Sequence, residues 1–161
     1  MINYKLLDNI KILLVGDFFL DEYIYGSINR VSPEASVPIL NVKHKTINLG
    51  GAGNVYNNLI NMGVKVSVLG KVGDDTNAYI LKKKLNKKGL LNNFIQIQKK
   101  TKTIKKTRIL NGKDQLIRID DEKVQNFKNF SSSLKKKIIK DISKSTLIII
   151  SDYGKGFCTK E

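Results

Sequence analysis

Four short strand-like segments, separated by stretches with helical signals, constrain the fold of this chain more than any other feature. Segments as continuously apolar as KILLVGD and TLIIIS are typical of strands that are buried on both faces of a sheet. Strands that alternate with helices form a parallel sheet covered by helices on both sides. The sequence therefore predicts an α/β fold with a doubly wound, mainly parallel sheet. The four predicted strands lie at residues 11–17, 64–70, 93–98 and 146–151.

Three intervening segments predict the helices. Residues 49–63 open with glycines and continue with apolar residues near helical spacing, which indicates a Gly-rich loop that starts a helix. Asp74, Asp75 and Thr76 are suited to cap a second helix, which would end by Gly89. Residues 131–143 have an apolar stripe and outward lysines, as in a helix packed on one face.

Alternating polar and apolar residues mark a second group of strands that does not fit a buried parallel sheet. Such alternation is typical of strands with one solvated face. We expect them to project from the main sheet as a β lid, with lid strands at about 21–44 and 103–121. The lid would cover the carboxyl ends of the parallel strands, where doubly wound sheets bind their ligands.

The basic composition bears on the class of partner. The 161-residue chain has a formal net charge of +15, from 29 Lys and Arg against 14 Asp and Glu. The charge is mostly lysine in short runs without interleaved aromatic residues, which indicates solvated helix faces rather than a surface that stacks on bases. We do not expect nucleic acid as a partner, although a noncatalytic basic binding protein remains an alternative function.

Cysteine and histidine usage excludes several other classes. With Cys158 as the only cysteine, no disulfide can form within one molecule, and a reducing, cytoplasmic compartment is favoured. No apolar run reaches the roughly 20 residues that cross a bilayer, so we expect no contact with a membrane. The single histidine, His44, has no metal-ligand companions, and we interpret it as a residue of the lid surface.

Polar residues and glycines follow the predicted strands at their ligand-binding ends. Asp17 follows the first strand, and Asp152 and Lys155 follow the last. The run GGAGN at residues 50–54 opens a helix and offers free backbone N–H groups to a ligand oxygen or anion. It matches neither a P-loop nor a dinucleotide-binding fingerprint. On residue chemistry alone, turn capping and tight packing explain these residues as well as ligand binding does.

Residues 50–75, GGAGNVYNNLINMGVKVSVLGKVGDD, resemble the amino-terminal signature of the ribokinase-like (PfkB) carbohydrate kinases, with Gly63 and Gly73 at the family's spacing. Tyr56 departs from the pattern, because the family generally has a small residue there. Within the family, the segments VGDFFLDEYIYG, RVSPEASVPIL and SDYGKG are most similar to kinases that phosphorylate D-glycero-β-D-manno-heptose 7-phosphate at C1. That reaction belongs to ADP-heptose synthesis for the lipopolysaccharide core. Another PfkB sugar or nucleoside kinase remains an alternative.

The resemblance implies roles for individual residues. Asp17 and Asn54 would bond sugar hydroxyls, and the glycines would let the backbone approach the sugar. The sugar phosphate needs a cation, for which Arg108 and Lys155 are the candidates. Arg118 is a further candidate, and a surface ion pair is the alternative for each of these side chains. We interpret Asp21 and Glu34 as solvated lid carboxylates. The predicted substrate-binding residues are Asp17, Gly50, Gly51, Asn54, Arg108, Asp152 and Lys155.

The family's catalytic segment has no counterpart in the sequence. Complete family members use ATP and Mg²⁺ and have a GAGD-like segment, whose Asp acts as base, in their carboxyl-terminal half. The Gly-Asp pairs here are Gly16-Asp17 and Gly73-Asp74, both already placed in amino-terminal motifs. We therefore interpret residues 1–161 as the truncated amino-terminal half of a kinase domain, without catalytic, nucleotide-binding or metal-binding residues. We expect the chain alone to be inactive, and to associate with the missing half or as a homodimer through the lid.

Overall fold

The computed structural model describes residues 9–86, 89–123 and 130–159. Helices and strands follow one another along these ranges in the alternation that the sequence predicts. In chain order they are β1 (Lys11–Gly16), β2 (Phe18–Val31), β3 (Pro38–Gly51), α1 (Ala52–Asn61), β4 (Lys65–Val72), α2 (Thr76–Leu85), β5 (Leu90–Ile97), β6 (Lys105–Asn111), β7 (Asp114–Asp121), α3 (Ser132–Ile142) and β8 (Leu147–Ser151).

The core sheet contains the four strands predicted to be parallel, in the order β5-β4-β1-β8. All of its strand pairs are parallel, so the carboxyl ends of its strands meet at one edge. Side chains of α1 and α2 pack with Leu14 and Val66 on one face, and Ile138 of α3 packs with Leu13 on the other. Helices therefore cover both faces, which confirms the predicted doubly wound α/β fold.

The projecting sheet contains the remaining strands, in the order β3-β2-β6-β7. β2 pairs antiparallel with β3 and parallel with β6, and β6 pairs antiparallel with β7. This confirms the predicted projecting strands, but β2 and β3 extend further towards the core than their alternation indicated. Phe18, Phe19 and Leu20 are all buried at the inner end of β2, so no polar residue interrupts the apolar run there. The alternation marks only the outer, half-solvated part of each strand.

The expected Gly-rich loop before α1 is instead part of a strand. β3 continues through Gly51, and α1 begins at the next residue, Ala52. Gly51 has a φ of 57°, a left-handed conformation that glycine adopts without strain. The backbone thus turns from strand to helix at a single residue.

The surroundings of Tyr56 explain why this chain tolerates a large residue at a position where the family resemblance predicts a small one. Its side chain is fully buried in the cluster between the core sheet and helices α1 and α2. Its phenol O–H donates a hydrogen bond to the backbone carbonyl of Leu85, the last residue of α2. The ring fills the space between the two helices, and the hydroxyl satisfies a carbonyl that the helix end leaves free.

Tyr56→Phe should lower the free energy of unfolding by about 1–3 kcal/mol, because the buried Leu85 carbonyl loses its hydrogen-bond donor. Urea unfolding followed by circular dichroism measures this change. Tyr79→Phe is the matched control, since Tyr79 is 68% exposed on α2. Equal midpoints for the two variants would contradict the structural role given to the Tyr56 hydroxyl.

Glu22 links two strands of the projecting sheet and should make stability depend on pH. Its carboxylate lies 3.0 Å from Lys105 Nζ and accepts a hydrogen bond of 3.0 Å from Thr107 Oγ1. Burial raises the pKa of Glu22, but the hydrogen bonds from Lys105 and Thr107 outweigh it and bring the pKa below the usual value of 4.5. A depressed folded-state pKa stabilises the fold above the unfolded value. This contribution is complete above pH 4.5 and is lost as the pH falls through the folded pKa.

Glu22→Gln should therefore cost about 1 kcal/mol of unfolding free energy at pH 7 and less under acid conditions. Unfolding free energies measured in urea between pH 7 and pH 3 provide the comparison. Glu34→Gln, an exchange in the exposed 32–37 connection, is the control. A constant difference between wild type and Glu22→Gln across that range would count against the assignment.

Candidate functional site

The carboxylate of Asp17, at the end of β1, holds the chain segment that follows β8. Its Oδ2 accepts hydrogen bonds from the backbone N–H groups of Tyr153 at 2.8 Å and Lys155 at 3.1 Å. Its Oδ1 accepts one from the N–H of Phe157 at 3.3 Å. Asp17 is only 4% exposed. Backbone donors of the segment 152–157, which we call the 152–157 loop, therefore surround the side chain that the sequence analysis assigned to a sugar.

The backbone of Asp17 joins the same edge to α1. Its N–H donates to the carbonyl of Ser151, and its carbonyl accepts from the N–H of Ala52 at 2.9 Å. A Cβ on Gly51 would overlap that carbonyl, which is a further reason for glycine at this position. The start of α1 thus lies beside Asp17, although Asn54 on its first turn is exposed. The predicted convergence of Asp17 and Asn54 on one sugar stays a prediction.

Asp21 and Arg108 form an ion pair on one face of the projecting sheet. Arg108 Nη1 donates to Asp21 Oδ1, and the side chains are only 23% and 18% exposed, respectively. The hydrogen bond to Asp21 is the largest cause of the raised pKa of Arg108. A Cβ on Gly50 would overlap the Asp21 carboxylate, so this glycine makes room for the pair. The interpretation of Asp21 as a solvated carboxylate was wrong.

Lys106 and Glu122, which the sequence analysis did not single out, connect the projecting sheet to the 152–157 loop. Lys155 Nζ lies 2.8 Å from Glu122 Oε1, and Lys106 Nζ lies 3.7 Å from Glu122 Oε2. Lys106 Nζ is also 5.0 Å from the centroid of the Phe19 ring. The period of a strand places Lys106 on the same face as Arg108, but nothing local to the sequence brings Glu122 to Lys155.

Other residues named from the sequence lie outside these contacts. Asp152 is exposed and accepts the N–H of Gly154 at 2.8 Å, within its own turn. Arg118 pairs with Asp120 of its own strand at 2.9 Å, which matches the ion-pair alternative. His44 is exposed and stacks on Tyr25, with ring centroids 4.5 Å apart.

Two cavities lie at the carboxyl edge of the core sheet. The narrow one has room for about one water molecule and is bounded by Asp17, Thr103 and Lys155, among others. The wider one, of about 330 Å³, lies between Lys71, Gln96 and Phe130 on the side of α3. Burial lowers the pKa of Lys71, which borders both cavities. No group of three His, Cys, Asp or Glu side chains suited to hold a metal ion occurs in the described part of the chain.

Comparison with known proteins places this arrangement in a family. The chain matches the pfkB carbohydrate kinase family over residues 15–159. Two curated relatives, both named bifunctional protein HldE, come from Sulfurimonas denitrificans and Aliarcobacter butzleri. They are 40% and 42% identical to this chain over 94% and 92% of its length. The chain spans about a third of these relatives, 32% in both cases.

Solved structures show the same fold. A carbohydrate kinase from Agrobacterium tumefaciens has a TM-score of 0.63 at 18% identity, and covers 88% of this chain and 45% of its own. Arabidopsis thaliana ribokinase, solved with ribose and ATP, also has a TM-score of 0.63, at 14% identity and with the same coverage. The fold is thus that of the ribokinase-like carbohydrate kinases. This chain belongs to the pfkB family of carbohydrate kinases, as its sequence motifs indicated.

Asp17→Asn should release the 152–157 loop and lower the free energy of unfolding by about 2 kcal/mol, because an amide nitrogen would face backbone donors. Hydrogen exchange at the amides of Tyr153 and Lys155 should accelerate. Asp152→Asn is the control, since Asp152 is exposed and accepts its hydrogen bond from Gly154, within its own turn. Unchanged protection of both amides in Asp17→Asn would disprove this role of the carboxylate.

Proposed function

We propose that this chain is the sugar-binding part of a kinase that phosphorylates D-glycero-β-D-manno-heptose 7-phosphate at C1. The observation that carries the proposal is the joint placement of the Asp21–Arg108 pair and the two lysines on Glu122. A phosphorylated sugar needs a carboxylate to accept its hydroxyl hydrogens and cations to hold its phosphate. Asp21, Arg108, Lys106 and Lys155 supply both kinds of group between the projecting sheet and the 152–157 loop. The likeness to the HldE proteins along most of the chain supports the same substrate.

In this proposal the residues of the chain bind and orient the sugar. Asp21 accepts hydrogen bonds from ring hydroxyls while Arg108 holds its carboxylate in place, and Gly50 leaves space beside that carboxylate. Asp17 keeps the 152–157 loop, which carries Lys155, in place across from the projecting sheet. ATP would supply the phosphoryl group in a complete family member. The groups that this proposal assigns to the chain bind and orient the sugar, and no step of phosphoryl transfer is assigned to them.

The rest of a kinase domain is the proposed partner of the core sheet. β8 pairs with β1 and forms the edge of that sheet in the described part of the chain, and its Ile148 and Ile150 are 43% and 68% exposed. On α3, Ile139 is 64% exposed. An edge strand presents backbone N–H and C=O groups that can pair with a further strand, and exposed apolar side chains along it can be buried by the elements that follow. The structural relatives are more than twice as long as the part that this chain covers, and the additional length would provide such strands.

A homodimer through the projecting sheet is a further part of the proposal. Ile117 and Ile119 on β7 are 53% and 49% exposed, and they lie on the same face of the strand.

No helix in the described ranges is long and apolar enough to cross a membrane. A cytoplasmic location, suggested by the single cysteine, belongs to the same proposal.

The test is binding of heptose 7-phosphate to the 161-residue chain, measured by isothermal titration calorimetry. We expect tighter binding than for unphosphorylated heptose or ribose. Asp21→Asn should weaken binding of both heptose ligands about tenfold, because hydroxyls lose a charged acceptor. Asp114→Asn, at the exposed start of β7, is the control. Equal affinity for ribose and heptose 7-phosphate would refute the proposed substrate, as would insensitivity to Asp21→Asn.

A further inference from the structure

The two lysines that share Glu122 are more buried than Lys102, another lysine in an ion pair. The side chains of Lys106 and Lys155 are each 16% exposed, whereas that of Lys102, in an ion pair of 4.0 Å with Asp121, is 76% exposed. The backbone of Lys155 is fixed by the Asp17 carboxylate. The ammonium of Lys106 lies over the Phe19 ring. Lys155 is therefore anchored through its backbone, and the Lys106 ammonium through an aromatic ring, in addition to the carboxylate they share.

The charges around these lysines do not balance. Glu122 offers one negative charge to two ammonium groups. Asp21 is engaged by Arg108. Asp17 adds a second carboxylate near Lys155, but the narrow cavity that these two residues line is also lined by Lys71, Lys102 and Lys123. Cations therefore outnumber carboxylates around Lys155, and this excess positive charge costs desolvation energy unless a further anion binds.

A phosphate monoester matches this excess better than Glu122 does. It carries about −1.5 to −2 charges at pH 7 and three acceptor oxygens, so it can contact both ammonium groups at once. Glu122 already spans them, with its two oxygens 2.8 Å and 3.7 Å from the two nitrogens. Arg108 has a different role in the proposed function, in which its Nη1 holds the Asp21 carboxylate that binds the sugar hydroxyls. Arg118, the third cation that the sequence offered, pairs with Asp120 of its own strand. Lys155 is thus the best placed of the three.

We propose that Lys106 and Lys155 form a phosphate-monoester subsite, and that Glu122 is an internal counter-ion which the phosphate displaces. This inference rests on the proposed function, since it assigns the phosphate end of the sugar phosphate to these two lysines. Displacement of Glu122 would replace a direct link between the projecting sheet and the 152–157 loop with one that runs through the ligand. Glu122 therefore competes with the substrate for the subsite.

The competition gives Glu122→Gln and Lys106→Gln opposite effects on ligand affinity. The probes are inorganic phosphate and heptose 7-phosphate, titrated into the 161-residue chain at constant ionic strength and followed by backbone amide NMR shifts. Lys106→Gln should weaken both about tenfold, because a charge-assisted contact is lost. Glu122→Gln should strengthen both by about threefold, because the internal competitor loses its charge. Lys113→Gln, in the exposed turn between β6 and β7, is the control for nonspecific charge.

Two further measurements distinguish the effect of each substitution on folding from its effect on ligand affinity. The urea midpoint of each variant reports folding, and Lys106→Arg restores the charge and should recover most of the affinity. Weaker or unchanged phosphate binding in Glu122→Gln would overturn the proposal, as would equal effects of Lys106→Gln and Lys113→Gln. Absence of phosphate binding to the wild-type chain would also overturn it.

The two proposals fail in different ways. If heptose 7-phosphate binds selectively but its affinity does not change in the Lys106 and Glu122 variants, the proposed function is supported and the proposed subsite is contradicted. If phosphate affinity depends on these two residues but the chain does not prefer heptose 7-phosphate over other sugar phosphates, the subsite is supported and the proposed substrate is contradicted.

Discussion

The Asp17 carboxylate is the interaction on which the carboxyl edge of the core sheet depends. A carboxylate that is 4% exposed needs hydrogen-bond donors, and backbone N–H groups of the 152–157 loop provide them. Those N–H groups in turn need acceptors, because the loop forms no ladder there. One side chain therefore satisfies both requirements and fixes the loop that carries Lys155. The backbone of the same residue bonds β8 and α1.

Paired charges organise the projecting sheet in a related way. Asp21 and Glu22 are neighbours on β2, so they point to opposite faces. Asp21 pairs with Arg108 on one face, and Glu22 pairs with Lys105 on the other. Each pair bridges β2 and β6, the central strands of the sheet, whose pairing is parallel. Although the chain has a net charge of +15, the carboxylates near the proposed site each have a defined cation or N–H partner. Glu122 differs from the others because its single carboxylate is paired with two ammonium groups, those of Lys106 and Lys155.

Much of the candidate site could be located from the sequence, but its contacts could not. The residues after a parallel strand lie at the ligand-binding edge, which drew attention to Asp17 and Lys155. The resemblance added Gly50 and Arg108. A single carboxylate in an alternating strand gives no sign of its cross-strand neighbour, so the expectation that Asp21 is solvated was wrong. Glu122 could not be found from the sequence either, because its partner Lys155 is 33 residues away along the chain.

Local pattern determined the elements of this protein, and long-range packing determined what their polar groups do. Apolar runs, capping residues and alternation depend on neighbours within a few positions, so they identified the parallel core, the helices and the projecting strands. The inner ends of β2 and β3 were underestimated because burial there comes from the core sheet and α1, not from the strands themselves. Which oxygen meets which nitrogen depends on sheet order and loop placement. Only the tertiary structure brings β1, β6, the end of β7 and the 152–157 loop together. It therefore decides that the Asp17 carboxylate bonds the backbone of the loop and that Glu122 pairs with both Lys106 and Lys155.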